Sequence, residues 1–194
     1  MKNNQKGITR TKALIYIAAL CVAGFIVFAK MQVNTMLSQI ASLGATVAQQ
    51  SAQVSEIVGK YNRNYALFLH KTGNLPAGLS FDDGAIQAAN KAKIKATVDT
   101  NNIVILEVSN LDTKSCVKIA TKNWGHPQTT RFVGVGIGKA PDFSCLNDNS
   151  CKFNYIAAFP GTSDYPFTDE RATFPCSLFE NNKQPASVYL GYKL

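Results

Sequence analysis

The glycine-rich segment GVGIGK at residues 134–139 is the place where this sequence most resembles a phosphate-binding site. A P-loop has four residues between its first glycine and a Gly-Lys pair, and Ser or Thr follows the lysine. Here Val133 stands where the first glycine is required, and Ala140 follows Lys139. The segment therefore predicts a β-strand whose glycines allow another element to pack closely, and not a nucleotide site.

Residues that commonly catalyse reactions are few in this chain. His70 and His126 are the two histidines, and no serine lies in the G-x-S-x-G motif of a nucleophile elbow. His70 comes at the predicted end of a helix, where the helix dipole favours a cation without any catalytic role. The acidic pairs at 82–83 and 169–170 are interpreted as solvated loops. The sequence predicts no catalytic residue, no cofactor and no enzymatic activity.

Three lysines, Lys114, Lys118 and Lys122, recur every four residues within a predicted short helix at 112–122. Residues at this spacing share one face of a helix, so these lysines, together with Lys91, Lys93 and Lys95, could form a basic strip that binds DNA phosphates. A solvated helix face is the more ordinary interpretation of the same spacing.

The five cysteines divide between two settings. Cys21 lies inside an apolar run, where a small buried hydrophobic side chain is expected. The other four lie in what is predicted to be an exported domain, where an oxidising compartment would join them in two disulfides. Of the three possible pairings we favour Cys145–Cys151, which closes a short polar loop, with Cys116–Cys176. A zinc site is the alternative, but the sequence has no CxxC motif, and we predict no metal.

An uncharged apolar run at 13–29, ALIYIAALCVAGFIVFA, precedes all of these residues. As a helix its 17 residues rise about 26 Å, which approaches the ~30 Å hydrocarbon core when Lys12 and Lys30 reach to the two interfaces. The run therefore predicts a transmembrane segment. A cleaved secretory signal is the alternative, although no convincing small-residue cleavage site lies beside the end of the run.

The net charge of +8 is concentrated around this run. Residues 1–12, a predicted cytoplasmic leader, hold four basic residues and no acid, and Lys30 follows the run. Of the 20 basic residues 15 remain, against 12 acidic ones, so the rest of the chain is only mildly basic. The asymmetry predicts a cytoplasmic N-terminus, with the remainder beyond the inner membrane.

Residues 30–72 continue the apolar run as a predicted amphipathic helix. Apolar residues recur at spacings of three, four and seven; the series seven residues apart comprises Val33, Ile40, Val47, Val54, Tyr61 and Phe68. A coiled coil is one interpretation, but we favour a helix whose second half packs on its own domain. The helix is expected to end before Gly73 and Pro76, so the whole rod would span about 60 residues, or roughly 90 Å.

Residues 73–194 are predicted to form a globular α+β domain. Alternating and β-branched runs predict strands, and two segments predict short helices. The strands are expected at 94–98, 103–108, 131–137, 152–159 and 187–193, and the helices at 85–93 and 112–122. We expect an antiparallel sheet of about four strands, with the surface loops concentrated in 140–186.

Four features together resemble the type IV pilin and pseudopilin superfamily. They are a basic leader that ends in Lys6-Gly7, an apolar-then-amphipathic N-terminal helix, a helix exit that runs from Tyr65 to GNLP at 73–76, and cysteines late in the chain. The segment LDTKSCVKIA at 111–120 looks like the cysteine-bearing helix of type IVb pilins. The resemblance implies a pilin-like fold, with the long helix packed on the sheet and a disulfide-closed C-terminal region.

The same resemblance implies a structural subunit of a type IV pilus or pilus-like filament. Its leader would be cut between Gly7 and Ile8, and its N-terminal helix would bind other pilin-like subunits. The assembly residues would be Leu14, Ile17, Leu20, Val22, Phe25, Ile26, Val33, Leu37 and Ile40. The subunit would be held in the bacterial inner membrane with a periplasmic domain, then join an extracellular filament that contacts a host surface or DNA.

The sequence departs from the family at one position. Cutting after Gly7 places Lys12 fifth in the mature chain, where the family has glutamate. A lysine there would repel the N-terminal amine of a neighbouring subunit, which favours a minor or tip-located subunit, or an uncut membrane-held relative. Two alternatives remain: a bitopic periplasmic component of a secretion or conjugation apparatus, and a membrane-tethered DNA-binding or adhesion module.

Overall fold

A computed structural model describes residues 5–125, 127–146, 157–162, 165–182 and 184–194. The architecture is α+β, with a long apolar N-terminal helix and an antiparallel sheet. The helices are α1 (Gln5–Gln49), α2 (Val54–Lys60), α3 (Tyr65–Lys71), α4 (Thr113–Thr121), α5 (Pro127–Thr130) and α6 (Asp169–Asn181). The strands are β1 (Ser80–Asp82), β2 (Ala85–Gln87), β3 (Lys93–Val98), β4 (Ile103–Leu111), β5 (Phe132–Ile137), β6 (Ala157–Ala158) and β7 (Ala186–Lys193).

Helix α1 is continuous through the apolar run. It has 45 residues and no proline, so it extends for about 68 Å. Within the part of the chain that the structure describes, α1 is the one helix long and apolar enough to span a membrane. The predicted transmembrane segment at 13–29 therefore lies wholly inside one helix.

The prediction of a single helix over 30–72 is wrong. Helix α1 ends at Gln49, a 3₁₀ turn follows at Ser51–Gln53, and α2 and α3 are separate. Between α2 and α3 the chain reverses through Asn62 and Arg63, whose φ angles of 47° and 63° are left-handed and incompatible with a continuing helix. Helix α1 thus ends 22 residues before Lys71, the last residue of α3.

The predicted stop at Gly73 is confirmed by its geometry. Gly73 has a φ of +70°, and the Asn74 N–H donates to the Leu69 carbonyl at 3.0 Å. The Gly73 N–H donates to the His70 carbonyl at 3.3 Å. These two bonds form a Schellman motif, which satisfies carbonyls at the end of α3.

Among the described residues the sheet has seven strands in the order β1-β2-β3-β4-β7-β5-β6, and all neighbouring pairs are antiparallel. It is larger than the four strands expected because the short β1 and β2 extend one edge. The predicted helix at 85–93 is wrong, since that segment holds β2 and a 3₁₀ turn, Ala89–Lys91. Of the predicted strand at 152–159, residues 152–156 lie outside the described residues.

The second half of α1 packs on one face of the sheet. Its fully buried side chains are Met36, Ile40, Leu43 and Val47, and they join one core with Leu106 of β4 and Leu190 of β7. Gly44 allows α1 to approach β7 closely, because a Cβ at this position would lie 2.6 Å from the Tyr192 ring. Tyr192 is itself buried, so the ring has little room to move aside.

The opposite face of the sheet is covered near β5 by two aromatic side chains. Phe143 and Phe159 pack with Val133 and Ile103 in a second, smaller core. A Cβ on Gly134 would lie 2.8 Å from the Phe159 ring. The GVGIGK segment is therefore a strand whose glycines admit close packing, as the sequence predicted.

Gly44→Ala and Gly59→Ala make a matched pair that tests the contact of α1 with Tyr192. We expect Gly44→Ala to lower the free energy of unfolding by about 1–3 kcal/mol through overpacking. Gly59 lies in α2 with open space around it, so alanine there should stabilise by up to ~1 kcal/mol. Urea unfolding of the full chain in detergent measures both values. Equal stabilisation by the two substitutions would contradict the proposed role of Gly44.

Candidate functional site

The first half of α1 exposes a continuous apolar surface. Six of the predicted assembly residues are between 50% and 74% exposed: Leu14, Ile17, Leu20, Val22, Phe25 and Ile26. Met31 and Phe28 extend this surface toward the globular domain. Large contiguous apolar surfaces on a folded chain mark contacts with a membrane or with other proteins. This part of α1 is the main candidate for a functional surface.

The other three predicted assembly residues have a different environment. Val33 is 7% exposed, Ile40 is fully buried, and Leu37 is partly buried against the same core. Their assignment to assembly therefore needs correction, because they hold α1 to its own sheet. The apolar face becomes buried at Val33, where the domain begins to cover the helix.

Two glutamines on α1 form hydrogen bonds with the backbone of the segment between α3 and β3, which includes β1 and β2. Gln39 donates from Nε2 to the Gly78 carbonyl at 2.7 Å and accepts at Oε1 from the Ala89 N–H at 2.8 Å. One heptad earlier, Gln32 accepts at Oε1 from the Asn90 N–H at 3.3 Å. These bonds satisfy backbone groups that are not hydrogen-bonded to a neighbouring strand. They also fix the position of this segment along the axis of α1.

A buried polar pair lies where α1 ends. Gln50 is only 8% exposed, and its Oε1 accepts a hydrogen bond of 2.8 Å from the Tyr65 hydroxyl. Burial raises the pKa of Tyr65, so the phenol remains protonated and able to donate. This hydrogen bond joins the end of α1 to the start of α3, although α2 lies between them in sequence.

The structure contains the predicted disulfide between Cys116 of α4 and Cys176 of α6, and both residues are fully buried. Cys145 is also disulfide-bonded, whereas its predicted partner Cys151 lies outside the described residues. Cys21 is free and exposed on the apolar half of α1, so no side chain of the described residues buries it. Among the described residues no group of three His, Cys, Asp or Glu could hold a metal ion.

The predicted lysine strip is not a single surface. Lys114 and Lys118 line one open groove together with Asp112 and Asp169. Lys122 follows the last residue of α4 with an extended backbone, and its Nζ lies 4.8 Å from the centre of the Trp124 ring. The third lysine leaves the common face because the helix ends one residue before it. The carboxylates beside the first two reduce their combined attraction for DNA phosphates.

Sequence reasoning missed α6, which lies in the segment expected to be loops. Its inward-facing residues are Ala172, Cys176 and Phe179, whose spacings of four and three residues place them on one face of the helix. The acidic residues at 169–170, interpreted as a loop, occupy the first turn, where they complement the helix dipole. Pro175 inside the helix obscured the pattern.

The predicted processing site, Gly7 and Ile8, lies in the first turns of α1.

Tyr65→Phe tests whether the buried pair at the end of α1 stabilises the fold. Removing the hydroxyl leaves the Gln50 oxygen buried without its donor, which should cost about 1–3 kcal/mol of unfolding free energy. The double variant Tyr65→Phe/Gln50→Met removes both polar groups and should recover most of that loss. Additive losses in chemical denaturation of the two single variants and the double variant would show that the groups are not coupled.

No protein-family model matches this chain, and comparisons with curated proteins and with solved structures give no match.

Proposed function

We propose that this chain is a membrane-anchored structural subunit of a type IV pilus or pilus-like filament, with a pilin-like fold and with α1 as the assembly helix. One observation carries the proposal: α1 is a single helix with two environments. From Leu14 to Met31 the first half exposes apolar side chains, and the exceptions are Gly24, which has no side chain, and Lys30. One face of the second half is buried against the sheet of the same chain.

The exposed half of α1 matches a bilayer in length and composition. The apolar run at 13–29 rises about 26 Å as a helix. Lys12 precedes it and Lys30 follows it. In water, exposed apolar area costs about 25 cal/mol per Å², so a helix with this surface is stable only with a covering medium. A bilayer would supply that cover before assembly, and the helices of other subunits would supply it afterwards.

The outer side of the second half of α1 also favours assembly. No charged residue occurs between Lys30 and Glu56. The exposed positions instead carry small or neutral side chains: Asn34, Thr35, Ser38, Ser42, Ala45 and Gln49. A helix face that remains in water usually mixes charged and polar side chains, whereas this ridge has no charge, and its small and hydroxyl-bearing residues permit close approach of another helix. This neutral ridge would bind the helix of a neighbouring subunit.

The globular domain would lie on the oxidising side of the inner membrane. The positive charges of residues 1–12 favour a cytoplasmic leader, and the Cys116–Cys176 disulfide favours a periplasmic or extracellular location for the domain. Lys12, in place of the glutamate of the family, favours a minor or tip-located subunit. Its domain would supply the surface for adhesion to a host or to DNA.

A charge in the apolar half of α1 tests assembly directly. We expect Val22→Asp or Ile26→Asp to abolish incorporation into sheared filament fractions, since a carboxylate buried between helices or in lipid costs at least ~2.5 kcal/mol. Immunoblotting of filament and membrane fractions measures the effect. Ser55→Asp, which adds the same charge at an exposed position of α2, should leave incorporation unchanged.

Membrane retention separates assembly from anchoring in this experiment. A variant that resists alkaline extraction from membranes but is missing from filaments has lost assembly alone. Normal incorporation of both charged variants would contradict a role of α1 in the filament. Defined small complexes after detergent extraction, without any filament fraction, would favour the bitopic secretion component instead.

The intact mass of the native, unreduced protein tests processing. We expect loss of residues 1–7, with or without a methyl group on Ile8, and a deficit of about four protons for two disulfides. Reduction and alkylation of the same sample provide the control for the disulfide count. An uncut chain would favour a permanent anchor, and a chain that begins near Lys30 would contradict assembly through α1.

A further inference from the structure

The lower edge of the globular domain lies where α1 would emerge from the bilayer. The apolar run ends at Ala29, and the headgroup layer extends about 5–8 Å beyond the hydrocarbon core. Gln32 is three residues further along α1, a rise of about 4.5 Å, and it is hydrogen-bonded to the Asn90 backbone at 3.3 Å. Gln39, ten residues beyond Ala29 and a rise of about 15 Å, bonds the Ala89 N–H of the same turn. The turn at Ala89–Lys91 therefore lies between the levels of Gln32 and Gln39, with Asn90 on the side that faces the headgroups.

Hydrogen bonds bring a second segment to the same level. Asn90 donates from Nδ2 to the Ser115 hydroxyl at 3.1 Å, which places the first turn of α4 beside the turn. Asn110, at the end of β4, donates from Nδ2 to the Lys91 carbonyl at 2.8 Å. Strand β3 begins two residues after Lys91 and runs away from this edge. The edge is thus assembled from three separate parts of the chain.

Lysines are concentrated on this edge. Lys91, Lys93 and Lys114 are all exposed. The carbonyls of Lys91 and Lys93 accept hydrogen bonds from Asn110 and Ser109, and Lys114 precedes Ser115, which accepts from Asn90. Lys30 adds a fourth charge on α1 itself. We call Lys30, Lys91, Lys93 and Lys114 the basal lysines. They come from three separate segments of the chain, and Lys91, Lys93 and Lys114 also belong to the basic strip that the sequence allows for binding DNA phosphates.

We propose that the basal lysines bind the phosphate groups of anionic lipids at the surface from which α1 emerges, so that the domain is docked upright on the membrane before assembly. This inference rests on the proposed membrane anchor and adds a second, electrostatic contact to it. A lysine side chain can lay its methylenes along the headgroup layer while its ammonium binds a phosphate.

Two carboxylates near Lys114 reduce this attraction without cancelling it. Asp112 accepts a hydrogen bond of 2.6 Å from the Ser115 N–H and so caps α4. Asp169 lies across the groove that Lys114 and Lys118 line, and Lys118 adds a further positive charge there. The basal lysines therefore outnumber the carboxylates at this edge, and a surface rich in anionic lipid would attract them.

Residue-level acetylation of the full-length protein in nanodiscs tests the docking. The protein is labelled with an amine-reactive acetyl ester in phosphatidylcholine discs and in discs that also contain phosphatidylglycerol. We expect labelling of Lys91, Lys93 and Lys114 to slow about fivefold in the anionic discs, and the difference to disappear at high salt. Lys60 and Lys193, outside this edge, are controls within the same molecule and should label equally in both.

A pair of variants sharpens the result. Lys91→Gln/Lys114→Gln should abolish the protection of the remaining Lys93, whereas Lys60→Gln/Lys193→Gln, with the same change in charge, should preserve it. Co-elution of protein and disc reports the anchor separately. A protein that enters the discs but labels equally in both lipids would overturn the docking and leave the anchor intact; failure to enter the discs would overturn both.

Discussion

The close packing of α1 on β7 at Gly44 and Tyr192 is the contact on which the arrangement of the whole chain depends. Helix α1 is continuous from Gln5 to Gln49, so whatever fixes its second half also fixes the direction of its first half. The glycine brings the two backbones close enough for Ile40 and Val47 to reach the core of the sheet. Because the domain covers the helix only from Val33 onward, the apolar half must project from it.

Patterns that are local in sequence were sufficient for the α+β architecture. Strand β3 alternates between exposed and buried side chains along its full length, as the period of two predicts. Asp112 caps α4 by accepting a hydrogen bond from the Ser115 N–H, and Gly73 ends α3 with a left-handed φ. The apolar face of α1 from Val33 onward is buried, as helical periodicity predicts. For the strand, the helix cap and the helix stop, the deciding residues lie within a few positions of one another, and the apolar face of α1 is set by its own period, so the sequence contains these signals.

Features that depend on distant partners were not predictable in this way. The apolar heptads continue past Gln50, but the helix ends there, where the Gln50 side chain meets Tyr65, 15 residues away. The left-handed Arg63 is held by strand residues, since its carbonyl accepts from the Val98 N–H at 2.9 Å. Lys122 left the predicted strip because its helix ended one residue early. Periodicity shows which face of a segment is apolar, and it cannot show where tertiary contacts interrupt that segment.

The two uncovered surfaces of α1 bear differently on the proposed roles of this helix. A bilayer can cover the apolar side chains from Leu14 to Phe28, which fit within its hydrocarbon core. It cannot cover the neutral ridge from Asn34 to Gln49, because that ridge lies beyond the core, beside the domain. An anchor that only tethers the domain would leave the ridge in water, where a helix face usually mixes charged with polar side chains. A helix bundle would cover both surfaces at once, so the absence of charge on the ridge favours assembly over simple tethering.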